Sequence, residues 1–462
     1  MPDEQLPGAG ARPWHAGPGN TPGSPVADQA PDVDVIVVGA GPAGAAAALT
    51  AARAGASVVL LERGPFPGSK NVYGGVIYGR ILDEVLPGWW EEVPVERWVV
   101  RRSTMILTPT QALTVDFRTQ AWAGPPYNGM TAYRADFDSW LAAKATAAGA
   151  RLVTSTVATG LLRDAAGRVV GVRTDRADGE LRAKVVIAAD GVNSFLAKES
   201  GLLPKADPTH HTLGVKEVLS LGREVIDERF GLRGLEGLDI EMLGNTRGIP
   251  GGGFLYTNSD TVSIGAVLAL PGLAAAKVRP EEIIAGLKAH PAIAPYLRGA
   301  TVKEYAAHLI PEGGYDHMPP LALDGLLVAG DAAGMTLAAG IWLEGVNFAL
   351  GSGLVAGRVA AEAAAAGDAS KKRLGAYRAQ LEKQFVLADH KRLRDAPEII
   401  LSERIQRRYP GLMADLVESL FTVTNPQPKP GALALLRRAA KRNGVSLREL
   451  ASDGMKIGRV FR

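Results

Sequence analysis

The stretch Val33-Asp34-Val35-Ile36-Val37-Val38-Gly39-Ala40-Gly41-Pro42-Ala43-Gly44 decides the fold of this chain. Its β-branched start is the kind of run that is buried in a parallel sheet. The alanine-rich segment that follows predicts a helix to about Ala54, which Gly55 stops, and Ser57-Val58-Val59-Leu60-Leu61-Glu62 predicts the next strand. The glycines divide the work of a dinucleotide turn: Gly39 permits the tight exit from the strand, Gly41 lets backbone approach a pyrophosphate, and Gly44 lets the helix pack on the sheet. Unpaired N–H groups and the positive end of the helix dipole then face the phosphates, so no basic side chain is required. Glu62 lies eighteen residues beyond Gly44, at the end of the second strand. A carboxylate there can accept hydrogen bonds from adenosine ribose hydroxyls, which implies a free 2′-hydroxyl on the cofactor.

Composition sets the outer limits. With 462 residues, 47% hydrophobic and 21% charged, the chain can bury a large core and is not a largely disordered protein. A net charge of +3 is too small to indicate nucleic acid, but it is uneven: Gly431 to Arg462 carries eight Lys and Arg against Glu449 and Asp453. That basic tail, with Leu433, Leu435 and Leu436 interleaved, is a candidate docking surface for an acidic partner or an anionic membrane face. Cysteine is absent, which excludes disulfides, thiolate nucleophiles and cysteine-ligated iron–sulfur clusters within these residues. The seven histidines form no ligand pattern, are expected on the surface or in loops, and predict no metal.

Two uncharged stretches do not read as membrane spans. Val35 to Ala52 is a strand, turn and helix, while Thr261 to Ala276 is short and holds Pro271. Residues 1–30, rich in Pro, Gly, Ala and Asp, read as a disordered lead-in without the apolar core of a secretion signal, so a cytoplasmic location is expected. The first part of a dinucleotide domain then covers 31–205, with a helix over Asp136 to Ala148 and a small β meander at about 160–183. A β-rich domain at 206–318 follows, dominated by short strands and glycine turns. The first domain returns over 319–366, and 367–462 is helical with the basic tail.

The glycine triplet alone does not choose between NAD and FAD. Near the other end of the chain, Gly325 to Gly334 forms a strand ending in Gly330-Asp331-Ala332-Ala333-Gly334. Here the sequence resembles the flavoprotein family of aromatic-ring hydroxylases, geranylgeranyl reductases and electron-transfer flavoprotein:quinone oxidoreductases. The resemblance implies an α/β fold: a Rossmann-type, glutathione reductase-like FAD-binding domain with an inserted antiparallel β-sheet domain for substrate or quinone and a helical C-terminal region. It also implies FAD, with Asp331 on the ribityl chain and Asp190-Gly191 and Arg134 as further cofactor positions. Pro42, Ala43, Arg63, Lys70, Asn71, Gly75, Val157 and Gly330 fall along the same implied path. Gly340, Gly345, Val346 and Asn347 open the helix whose first turn would face the flavin pyrimidine, where N–H groups stabilise charge on the reduced ring.

Three segments point to one branch. Gly68 to Gly75, Gly214-Val215-Lys216-Glu217-Val218 and Pro250 to Tyr256 resemble the quinone oxidoreductases and FixC proteins. By that resemblance Gly252 and Gly253 would let a flat quinone approach backbone, with Phe254 and Tyr256 as apolar walls. The quinone oxidoreductases carry a cysteine-ligated cluster that this sequence cannot build, a departure that fits FixC. The implied role is electron transfer between an electron-transfer flavoprotein and quinone. The implied setting is an electron-bifurcating complex with a separate ferredoxin-like, FixX-like subunit that reduces ferredoxin or flavodoxin, peripheral on the cytoplasmic face of the inner membrane. No covalent catalyst is expected. Lys70 is a candidate cation near the flavin, and Lys216 and Glu344 are candidates to assist quinone protonation. The rival readings are a geranylgeranyl reductase-like enzyme, an aromatic hydroxylase, and a flavin-carrying assembly subunit without catalysis.

Overall fold

The computed structural model describes residues 29–70, 75–203, 207–340 and 343–462. β1 (Val33–Val38) is followed by α1 (Pro42–Arg53) and β2 (Val58–Leu61). β1 sits at the centre of a sheet, parallel to β2 on one side and to Glu180–Ala188 on the other. Leu326–Val328 extends the sheet beyond Glu180–Ala188, and Arg151–Val153 extends it beyond β2, again in parallel. The chain must therefore leave this sheet after Ala188 and come back at Leu326 to complete it. A small antiparallel meander, Ala158–Arg163 with Val169–Thr174, is stitched to the early part of the Glu180–Ala188 strand.

Why α1 is so rich in alanine is visible in what lies on it. The long helix Val346–Ala365 crosses it closely: a Cβ at Gly353 would lie 2.1 Å from the Ala43 carbonyl oxygen, and one at Gly357 would lie 2.2 Å from that of Ala47. Two helices with small residues on both faces can bring their backbones together in this way, and neither face has room for a larger side chain. Gly44 does the same toward the sheet, where a Cβ would fall 1.8 Å from the Gly39 carbonyl oxygen. Gly39 itself has φ +99°, a left-handed conformation that favours glycine.

Among the described residues the second sheet has nine strands, and it is not confined to 206–318. Gly75–Ile77, Arg97–Leu107, Ala112–Arg118 and Met130–Ala132 join it from the span that the sequence assigned to the first domain. They do so because Arg97–Leu107 pairs along its length with Glu236–Gly244, a long-range register that local pattern cannot announce. That pair is parallel, whereas the other ladders of this sheet are antiparallel.

Side-chain alternation gives the second sheet two unlike faces. Ile240, Leu255, Ile264 and Leu268 pack with Ile226, Phe230, Ile283, Ile284 and Leu287 of two covering helices, Arg223–Phe230 and Pro280–Ala289. The residues between them, Asp239, Glu241, Phe254, Tyr256 and Val267, turn to the opposite side. Helices Ala432–Arg442 and Leu447–Val460 form the basic C-terminal region. Arg442 pairs with Asp415, Arg404 pairs with Asp453, and Leu435 is buried while Leu433 is exposed. No helix among the described residues is long and apolar enough to cross a membrane.

Candidate active site

The carboxyl ends of the parallel strands and the polar face of the second sheet enclose a cavity of about 410 Å³. At one end lies the start of α1. Its N-cap, Gly41, offers no side chain to the first turn, and Pro42 supplies the first helical position, where a missing N–H costs nothing. A Cβ at Gly41 would meet only the Arg134 Nη2 within 4 Å, at 3.7 Å, so the space before the helix is open. The Glu62 carboxylate, buried beside it, accepts from the Ala40 N–H at 3.0 Å and the Gly64 N–H at 2.7 Å, which fixes its direction.

Arg134 begins the helix Arg134–Ala147, and its guanidinium donates to both oxygens of Asp138, at 2.8 and 2.9 Å, one turn later. Asp331 follows Gly330 in the tight turn after Leu326–Val328, and burial pushes its carboxyl above the ordinary range while His308 opposes the shift. Burial likewise holds the His308 imidazole below its usual value. Asp190 accepts from the Ser194 hydroxyl at 2.5 Å and the Leu196 N–H at 3.3 Å, so its side chain is committed to the turn that opens the short helix Phe195–Glu199.

Most of the residues singled out in the sequence meet on this cavity's wall: Gly39, Gly41, Pro42, Ala43, Glu62, Arg63, Lys70, Gly75, Arg134, Val157, Asp190, Gly191, Asp331, Glu344, Gly345, Val346, Phe254 and Tyr256. Others do not. Gly44 and Gly330 are packing positions, and Gly340 lies against Ile400. Asn347 is buried behind the wall and donates its side-chain N–H to Glu344. Lys216 is fully buried and is not on the wall; burial lowers its ammonium to about 8. Gly252 is in register with Val267, which is on the wall, but its own Cβ would strike the Met242 carbonyl oxygen at 2.7 Å. Gly253 faces the other way, toward Leu287. Asn71 lies outside the described residues.

Six titratable wall residues escaped the sequence reading: Tyr78, Asp138, Asp239, Glu241, His308 and Glu312. The histidines correct an expectation, since His308 is on this wall and His290 and His390 are buried with ring nitrogens satisfied by the carbonyls of Thr108 and Thr336. Asp239 and Glu241 carried a readable signal: two carboxylates alternate with Leu238, Ile240 and Met242 in a single strand. Arg102, directly across in the neighbouring strand, reaches Asp239 at 3.4 Å and Glu241 at 2.5 Å. Burial raises the carboxyls of Asp239 and Glu241 and, with Asp239, raises the Tyr78 phenol. Burial also raises Glu312, to about 7.

The chain is 39% identical to Protein FixC of Salmonella typhi over 426 residues, covering 92% of this chain and 97% of that protein. The chain belongs to the FixC family. Protein FixC of Azorhizobium caulinodans is 40% identical over 84% of this chain and 90% of its own length. A probable electron transfer flavoprotein-quinone oxidoreductase, YdiS of Escherichia coli K12, is 38% identical over 92% and 97%. Residues 34–198 match the family described as FAD dependent oxidoreductase. Among solved structures, a geranylgeranyl bacteriochlorophyll reductase-like protein of Thermoplasma acidophilum superposes with TM-score 0.69 at 20% identity, over 92% of this chain and 99% of that one. The flavin-dependent brominase Bmp2 superposes with TM-score 0.60 at 19% identity, over 89% and 99%. These two likenesses establish the shared fold.

This FixC-family chain is an FAD-dependent oxidoreductase of electron transfer. The site fits FAD: an uncapped helix start faces open space at one end, a fixed carboxylate stands beside it, and the start of the Val346–Ala365 helix, also without a side-chain cap, faces the other end. Bound there, the isoalloxazine ring would supply the one- and two-electron chemistry that no side chain of this chain can.

Proposed function

We propose that this chain accepts electrons from an electron-transfer flavoprotein and delivers them to a quinone bound in the far end of the cavity. The observation that carries this reading is the change in character along the cavity wall. The α1 end presents backbone N–H groups, Glu62 and Arg134, suited to a diphosphate and ribose. Beyond Asp331 and His308 the wall carries the apolar side chains Phe254, Tyr256, Val267, Ile310, Leu337 and Leu343, with Phe254 and Tyr256 stacked 5.7 Å apart and the carboxylates of Asp239 and Glu241 beside them. A flat, weakly polar ring fits that second region.

Within this reading the N–H groups at the start of α1, that of Ala43 among them, hold the diphosphate, Glu62 the adenosine ribose, Asp331 the ribityl chain, and the first turn at Gly345 and Val346 the pyrimidine edge. Arg134 holds positive charge near the phosphates, and Asp138 keeps its guanidinium in place. Lys70, exposed at the rim, screens the cofactor's negative charge. With no cysteine in this sequence to hold iron, the reading places any thiolate-held cluster on a separate ferredoxin-like subunit of a complex that splits electrons between quinone and a low-potential acceptor. The basic C-terminal helices are the surface offered to an anionic partner or bilayer.

The test is anaerobic stopped-flow on FAD-loaded protein. Reduced electron-transfer flavoprotein should bleach the bound flavin, and a short-chain quinone should restore its colour. Direct reduction by NADPH that depends on an aromatic compound, or saturation of an isoprenoid double bond with quinone inert, would overturn the proposal.

A further inference from the structure

Two carboxylates bridged by one guanidinium stand on the cavity wall at the end away from the α1 helix start, the guanidinium reaching them from the neighbouring strand. Asp239 and Glu241 are two apart in Glu236–Gly244, so both side chains leave the same face of the strand. Phe254 and Tyr256, their partners across the antiparallel ladder, stand beside them on the wall, and the Phe254 ring tip lies over Gly265, where a Cβ would come within 2.4 Å. Arg102 approaches from the other side, in register with Asp239, and bridges both carboxylates. Among the described residues Tyr78, Tyr256 and Glu344 are the other titratable groups beside the pair, while Lys216 belongs to the next paired strand beyond Phe254 and Gly265.

One guanidinium can neutralise one carboxylate. A second carboxylate in the same buried place is stable only if it keeps its proton, because two like charges held together out of water favour the singly protonated pair. The wall that flanks the aromatic region therefore stores a proton at neutral pH, and Arg102 remains to hold whichever carboxylate is charged.

We propose that the Asp239–Glu241 pair is the proton donor for quinone reduction, with Glu241 as the catalytic residue and Arg102 as the positioning residue. The assignment rests on the quinone reading above. Converting a quinone to a quinol takes two electrons and two protons. FAD bound in the site and reduced would supply a hydride equivalent, which is both electrons and one proton. The second proton leaves Glu241 as its carboxyl O–H bond breaks and a new O–H bond forms on the quinone oxygen. The resulting carboxylate is held by Arg102 until solvent returns a proton.

The experiment compares two acceptors offered to the reduced, FAD-loaded protein: a short-chain quinone, which must take up protons, and ferricenium, which takes electrons alone. In the native protein the quinone rate should be flat at low pH and fall as pH rises above neutral, where the pair, its carboxyls raised by burial and by each other, gives up the shared proton, while the ferricenium rate should be independent of pH. E241Q should slow the quinone reaction at least tenfold, abolish its alkaline fall and leave ferricenium reduction unchanged; E241D should restore part of the quinone rate. A quinone rate in E241Q equal to native, with the same pH profile, would overturn the assignment. If E241Q does not fold, a native quinone rate that is flat from pH 6 to 10 would overturn it equally. Native protein that reduces ferricenium but no quinone would instead remove the quinone reading, and the donor with it.

Discussion

The Arg134 guanidinium meets the Asp138 carboxylate side-on, through two parallel hydrogen bonds at 2.8 and 2.9 Å, with Asp138 almost wholly buried and Arg134 reaching the cavity wall. Breaking such a pair leaves an uncompensated buried charge, a loss of ~3 kcal/mol or more, whereas removing both charges costs much less. Asp138→Asn should therefore lower the urea midpoint strongly. The double variant R134L/D138L should recover part of that stability, and both should bind FAD poorly. Equal losses of stability in the single and double variants would mean that the pair does not act as a unit.

The contact of the two small-residue helices is testable by adding one carbon. Gly353→Ala places a Cβ 2.1 Å from a backbone oxygen that has no rotamer to change, so a loss of ~1–3 kcal/mol is expected. At Gly286, in the helix Pro280–Ala289, an added Cβ would meet no heavy atom within 4 Å. Gly286→Ala should raise stability by up to ~1 kcal/mol through helix propensity alone. Thermal unfolding of the two variants side by side checks both; a neutral G353A would show that the helices can separate freely.

Glu62 joins the two halves of the dinucleotide turn through Ala40 and Gly64. Glu62→Gln keeps one acceptor oxygen and should weaken FAD binding roughly tenfold, about 1.4 kcal/mol for one charge-assisted bond lost. Glu62→Ala should weaken it further and lower stability, since two buried N–H groups lose their acceptor. Flavin fluorescence titration distinguishes the two; undiminished affinity in E62Q would remove the ribose role.

Asp453 ties the last helix to the body of the protein. The Arg404 guanidinium, at 2.6 and 2.8 Å, holds its carboxyl down to about 2, and the Tyr409 hydroxyl adds to the effect. For a carboxyl depressed on folding, the stabilisation is fully present above the ordinary value near ~4 and is lost as pH falls through the folded value. Amides of Leu447–Val460 should accordingly exchange faster as pH drops from 4 to 2, once corrected for intrinsic rates, while those of Val346–Ala365 should not. D453N should show the faster exchange already at pH 5. Uniform protection across that range would remove this tether.

Local chemistry sufficed for the dinucleotide half of the molecule. The turn at Gly39, the uncapped helix start and Glu62 all sit at ends of apolar strands, and each follows from residues within a few positions of it, while Asp331, also at a strand end, was singled out by the family resemblance. The far end of the cavity was different. Asp239, Glu241 and Tyr78 reach it because Glu236–Gly244 lies beside Arg97–Leu107, more than a hundred residues away, and because Gly75–Ile77 joins the same sheet. Gly252 and Gly253 show the converse: a glycine run that reads as a flat binding wall is taken up by contacts with Met242 and Leu287.

What the sequence by itself determined was the βαβ unit, since helix caps, strand periodicity and glycine spacing are local properties of the chain; the cofactor class and the family came from the resemblance that the Asp331, Asp190-Gly191 and later glycine motifs carry. Which carboxylates share a guanidinium, which glycines serve packing, and which histidine faces the cavity were decided only by the tertiary structure. Strand pairing between distant segments is selected by burial over the whole core, and no short stretch of residues encodes its partner.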